Sequence, residues 1–296
     1  MNFDEIIGGG SNNKPSPQNQ PFNKEEWVKK KQEEKSKAYE MIDKAAKEIV
    51  ESPEKFKQYL DIQARFDKYS IGNALLIVEQ MPTAKQIKDY DSWKEAGAYI
   101  NKNAKAITIL EPGDSYTKAD GTTSVSFNPK KVFDISQTNA KQNEKNNQYD
   151  DKIMLKAFLH ECPVDIKAVD ELSDINKGAE WNKEDNVLYI RRGLESPIIF
   201  NVVATELAKV GLETTGNQEM DNFKSYCASY LVCRKHNIDV SSFNFDNLPE
   251  TLKNMNTADI RNTLGDIRGT MEDINSRMSN YFESISKSSK NKDLAR

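Results

Sequence analysis

The residues of this chain with the most suggestive spacing for chemistry are Thr205-Glu206-Leu207-Ala208-Lys209, and two of them are the wrong types for it. The frame is that of H-E-x-x-H, in which two histidines four apart share a helix face and bind one Zn²⁺, with the glutamate between them as general base. Thr205 and Lys209 stand at the two histidine positions. A threonine hydroxyl is a poor zinc ligand, and a lysine ammonium has no lone pair to give a metal. The pattern therefore predicts no catalytic residue, no metal and no cofactor at the vestigial positions. One reading is an ordinary core helix. Another is a relict pocket in which the Lys209 ammonium takes the ion's place, paired with Glu206 three residues back or with Asp221 across the helix gap. An ammonium buried without such a partner would shed its proton. The two histidines of the chain, His160 and His236, add no ligand set. His160-Glu161 has Val164 where a second histidine would stand and reads as a helix end. His236 reads as a C-terminal cap favoured by the helix dipole.

Residues 65–131 offer a different chemistry. Single strands are bound by aromatic rings that stack on bases and by basic side chains that follow the phosphates. Tyr69, Tyr90, Trp93, Tyr99 and Tyr116 are the stacking candidates. Lys68, Lys85, Lys88, Lys94, Lys102, Lys105, Lys118, Lys130 and Lys131 would meet the backbone, with Asn73 among them. The competing reading makes Trp93 and Tyr99 core residues, and the lysines beside Asp89, Asp91 and Glu95 a mixed solvated face. The net charge of −4 carries no nucleic-acid signature over the whole chain. Binding would rest on a local patch, with modest and salt-dependent affinity.

Composition sets the bounds. A chain of 296 residues has room for two modest domains, and 37% hydrophobic with 30% charged residues describes a polar-surfaced protein. No apolar stretch approaches the roughly 18–20 residues of a membrane span. Met1-Asn2-Phe3-Asp4-Glu5 lacks the basic and apolar regions of a signal peptide. Cys162, Cys227 and Cys233 form no C-x-x-C pair, and the last two fall in an apolar helical stretch that predicts reduced, buried thiols. The expected location is cytoplasmic.

Periodicity and breakers place the elements. Residues 1–22, with Gly8-Gly9-Gly10 and Pro15, Pro17 and Pro21, read as a disordered lead-in. Helices are expected from about Lys24 to Glu51, after Pro53, and from Ile71 to Met81 before Pro82. Trp93 to Ile100, Ala106–Leu110, Ser124–Phe127 and Lys131–Ile135 read as short strands with turns between them, one at Asp120-Gly121. The Asn/Gln/Lys-rich run 137–150 reads as a linker. Beyond it come a helix around Ile153–Phe158, strands at Ile166–Leu172 and Asn186–Arg191, a helix opened by Pro197, another over Gln218–His236, and an amphipathic one from Thr257 to about Ser286. The expected fold class is α+β. An N-terminal unit (23–136) would join a helical cluster to a small antiparallel sheet. A zincin-like, mostly helical unit with a small sheet would follow (151–287), and then a disordered tail (288–296).

Tyr69-Ser70-Ile71-Gly72-Asn73-Ala74, Gln80-Met81-Pro82-Thr83-Ala84, Trp93, Gly97 and Ile107 to Pro112 together resemble the N-terminal single-stranded-DNA-binding domain of ArdC-type antirestriction proteins. The pattern also resembles that of LtrC-like proteins of Gram-positive conjugative plasmids and transposons. The resemblance covers roughly residues 55–240, and it implies that residues 151–240 stand where that family has an ImmA/IrrE-type metallopeptidase domain. It also implies that a third metal ligand would be an acid on the next helix, Glu219 or Asp221. In the N-terminal half Asn103 stands where relatives often have a turn glycine, and asparagine tolerates the left-handed geometry. The expected function is that of a non-enzymatic accessory protein of a mobile element. It would bind single-stranded DNA, serve antirestriction or transfer, and have a possible protein partner in the conjugation or restriction system. The alternatives are an interaction scaffold without DNA binding and, less favoured, an active zinc metallopeptidase.

Overall fold

The computed structural model describes residues 23–141, 149–196 and 198–294. The lead-in 1–22, residues 142–148 of the expected linker, Pro197 and the last two residues lie outside the described residues. Three helices open the described chain: α1 (Lys24–Glu51), α2 (Pro53–Arg65) and α3 (Ile71–Gln80). Their ends are written in the local sequence. The Asn23 side chain accepts from the Glu25 and Glu26 amides, Ser52 from Lys55, and Ser70 from Asn73. Each removes an orphan donor of a first helical turn, and Pro53 sits where no amide hydrogen is needed. Ala38, Ile42, Ala45 and Ile49 recur at helical spacing along α1 and are all buried.

A first sheet follows, built of β1 (Ile87–Lys88), β2 (Ile107–Thr117) and β3 (Thr123–Asp134) in the order β1-β3-β2, antiparallel throughout. Between β1 and β2 lies the short helix α4 (Tyr90–Glu95). The sequence reading missed that helix. Asp89 caps it, and Trp93 is a helical residue rather than a strand residue. Two expected strand pairs prove to be one long hairpin. β2 runs on past the Glu111-Pro112-Gly113 break, through a register shift between Pro112 and Ser115, to pair with the outer part of β3. Asn103 does adopt the left-handed turn geometry, at φ 66°.

The second sheet contains β4 (Asp165–Val169), β5 (Ala179–Asn182) and β6 (Val187–Arg191), with β6 central, parallel to β4 and antiparallel to β5. Around it stand α5 (Asp151–Leu159), α6 (Ile198–Gly211), α7 (Gln218–Lys235), the short α8 (Glu250–Lys253) and α9 (Thr257–Leu294). The expected tail is thus helical as far as Leu294. The segment read as a linker is anchored at both ends. Gln137 completes a capping box with Asp134, and Tyr149 stacks on Phe282 with ring centroids 4.3 Å apart.

The whole is α+β, and one continuous apolar core runs through both halves. Phe56 of α2 packs on Phe223 of α7. Polar contacts follow the same seam: the Tyr230 hydroxyl donates to Asp61 at 2.8 Å, Arg234 to Asp61 at 2.7 Å, and Lys235 to Asp67 at 2.5 Å. On the other flank, Arg261 of α9 pairs with Asp43 of α1. Among the described residues, no helix is long and apolar enough to cross a membrane.

Candidate functional site

Helix α3 is fastened to the edge of β2 by two amides two helical turns apart. Asn73 Nδ2 donates to the Leu110 carbonyl and its Oδ1 accepts from the Leu110 amide, both at 2.8 Å. Gln80 does the same for Thr108, at 2.9 and 2.8 Å. These side chains occupy the main-chain groups that an exposed edge strand would leave open. The expectation that Asn73 contacts DNA is corrected accordingly, because its amide is buried and committed to the sheet. Gln80 was legible in sequence only as part of a resemblance.

Between α3, β2, β3 and the start of α4 lies a cleft of about 520 Å³. Five of the expected binding residues line it: Lys68, Tyr69, Lys88 and Lys130, with the committed Asn73. Lys130 Nζ lies 2.9 Å from both Asp89 Oδ2 and Glu111 Oε2. Hydrogen bonds from Ser92 and Lys130 hold the Asp89 carboxyl well below the usual carboxylate range. Hydrogen bonds to Asp89 and Glu111 raise Lys130 correspondingly. Asp89 and Lys130 are both charged at neutral pH. Tyr69 is half-buried, and burial raises its hydroxyl above the ordinary tyrosine value.

The other candidates are spread over the same half of the chain. Tyr90, Tyr99 and Tyr116 are exposed, at 60%, 72% and 50%. Lys85, Lys94, Lys102, Lys105, Lys118 and Lys131 also reach solvent. Lys131 donates to Thr108 Oγ1 at 2.7 Å, and Lys118 is near the tip of the hairpin. Trp93 is a correction. It is 2% exposed, donates its indole hydrogen to the Phe133 carbonyl at 2.8 Å and packs with Ala98 and Ile135. Its ring face holds Lys88 Nζ, 5.0 Å from the centroid, and offers no platform for a base.

The helix with the altered motif is α6. Thr205 Oγ1 donates to the Asn201 carbonyl one turn back at 2.8 Å. Lys209 Nζ donates to Glu206 Oε1 at 2.6 Å, and the backbone amide of Trp181 on β5 donates to Glu206 Oε2 at 3.0 Å. Glu206 is buried and Lys209 half-buried. Asp221 faces elsewhere. Its carboxylate accepts from the hydroxyls of Thr214 and Thr215 and from the Thr215 amide. Of the two partners expected for Lys209, the helix neighbour is the one it has. Among the described residues, no group of three or more His, Cys, Asp or Glu side chains is placed to hold a metal ion.

His236 does cap α7, but the expected favourable charge is corrected. Burial pushes its pKa down to about 4, and its Nε2 sits 2.9 Å from Asn275 Oδ1. His160 ends α5 as expected. Cys227 and Cys233 are free and buried, and burial pushes the Cys233 thiol up to about 12, so neither serves as a nucleophile.

Residues 31–159 match the family described as the N-terminal domain of anti-restriction factor ArdC. The uncharacterized protein pXO2-81 of Bacillus anthracis is 26% identical, over 79% of this chain and 50% of that protein. The chain spans about half the length of this curated relative. A solved structure of the antirestriction ArdC protein from the R388 plasmid, in metal-free and Mn(II)-bound forms, aligns with a TM-score of 0.47 at 14% identity. That alignment covers 72% of this chain and 86% of the other.

Proposed function

From the premise that residues 31–159 are an ArdC-like N-terminal segment, we propose that this chain is a non-enzymatic accessory protein of a conjugative plasmid or transposon. Its N-terminal half binds single-stranded DNA, and its C-terminal half is a zinc-free pseudo-peptidase that serves as a scaffold. The binding supports antirestriction or strand transfer. The observation that carries the reading is the meeting of Lys68, Tyr69, Lys88 and Lys130 on one cleft, with Tyr90, Tyr99 and Tyr116 exposed on the same half of the chain. That combination of accessible rings and ammonium groups suits a single strand without fixed sequence.

The C-terminal part of the reading rests on donor chemistry. The residues at the zincin positions do not fit a metal: Thr205 donates its hydrogen to a carbonyl, Lys209 places a cation on the would-be base, and Asp221 is held by threonines. A divalent ion beside Lys209 would meet a like charge, so no hydrolytic step is assigned.

Fluorescence anisotropy of a labelled single-stranded oligonucleotide, titrated with the full chain at low and moderate salt, tests the proposal. Saturable binding that weakens with salt and resists competition by duplex supports it. Absence of binding at low salt would leave the interaction-scaffold reading, which the burial of Trp93 and Asn73 favours.

A further inference from the structure

The cleft beside Tyr69 has a feature that phosphate binding does not use. Among its polar groups, which include Lys68 and Lys88, the Lys130 ammonium is already held by two carboxylates, Asp89 and Glu111, at 2.9 Å each. A phosphate entering there would meet two negative charges. A neutral, planar group would not. The walls suit such a group: the rings of Tyr69, Pro112 and Phe127 line the cleft together with the buried Ile87 and Leu110. The volume of about 520 Å³ falls in the range of pockets that enclose a single small ligand.

We infer, on the single-strand reading above, that this cleft takes one unpaired nucleobase carrying an exocyclic amino group, stacked against Tyr69 and Phe127 with its amino hydrogens directed to Glu111. The strand's phosphates then lie toward Lys68, the exposed ammonium of the cleft's lining. Carboxylates accept only, so they favour the amino groups of cytosine, adenine and guanine. Thymine offers one ring N–H flanked by two carbonyl oxygens, which the carboxylates repel. An ammonium has three hydrogens. With two directed at Asp89 and Glu111, the third meets a ring acceptor next to the amino group. Glu111 keeps 44% of its side chain exposed, so its oxygens are accessible to a ligand.

The test uses the full-length protein and two labelled oligonucleotides of one length, an oligothymidylate and the same strand with one central cytidine. Backbone charge and flexibility are then matched. The cytidine strand is expected to bind about fivefold tighter or more, the low end of a good base contact. In Glu111→Ala that preference disappears, the cytidine strand falling to the affinity of the oligothymidylate. Equal binding of the two strands by the unaltered protein overturns the base site and leaves single-strand binding standing. A preference that survives Glu111→Ala overturns it too, and failure of both strands to bind removes both readings. Cytidine monophosphate as competitor is expected to displace the strand only at large excess. Displacement at near-equal concentration would reassign the cleft to free nucleotides and overturn the strand assignment.

Discussion

Lys209 Nζ stands 2.6 Å from Glu206 Oε1, one turn away on α6, while the other oxygen of Glu206 holds the Trp181 amide. Glu206 thereby ties helix α6 to strand β5. Glu206→Ala should lower stability by about 1–3 kcal/mol, the cost of an unpaired buried amide together with the lost ammonium contact. Lys209→Met should cost less, because Lys209 is half-exposed and removing it leaves the Trp181 bond intact. Denaturant unfolding of both singles and the double measures the pair directly. A coupling energy of about 0.5 kcal/mol or more is expected, and additivity would mean that the contact has no energetic weight.

Metal addition gives an independent check on the same helix. A ligand that binds the folded state raises Tm with its concentration. Zn²⁺ or Mn²⁺ titrated into the full chain is expected to leave Tm unmoved. A saturable rise, lost in Glu206→Gln, would restore a metal site and with it the peptidase reading.

Asn73 allows the structural role and the discarded binding role to be separated. Asn73→Ala strips both partners from the Leu110 main chain, which is buried, and should cost about 2–4 kcal/mol in chemical denaturation. A change under about 0.5 kcal/mol, in the range of an ordinary surface substitution, would return Asn73 to the list of ligand contacts.

His236 predicts an acid limb in stability. Its folded pKa of about 4 lies below the roughly 6.5 of a free histidine. Between those values the unfolded chain takes up a proton that the folded one refuses, so acidification favours unfolding. The stabilisation is complete above about pH 6.5 and declines toward pH 4, by about 3 kcal/mol in all. His236→Gln should start from a lower baseline and show a shallower slope over that window. Parallel Tm-against-pH curves for the two proteins would refute the assignment.

The helices were readable because their caps and apolar spacings are local: Ser52-Pro53, Ser70 and the Ile42 to Ile49 stripe need no knowledge of the fold. The first strand of the hairpin was read too short because Pro112-Gly113 signals a turn, whereas β2 continues through it with a shift of register. Trp93 was misplaced because one buried ring fits a strand or a single helical turn equally well. At the candidate site, charge and ring type picked out Lys68, Tyr69, Lys88 and Lys130, but the role of Asn73 depended on a strand 37 residues away. The same limit applied to Lys130, whose two anions stand on different elements from its own. Polarity shows that a side chain needs a partner, not which partner it has.

The Asp61–Tyr230 seam has a consequence for how such a chain can change over generations. If segments from different parents were spliced, a junction in the polar run around residues 140–150 would be the obvious place. Here that junction would bring together strangers at α2 and α7, where a phenol, a guanidinium and two aromatic rings are matched across the seam. A hybrid would inherit half of each match and bury the remainder unpaired. The two halves are therefore expected to travel as one heritable unit.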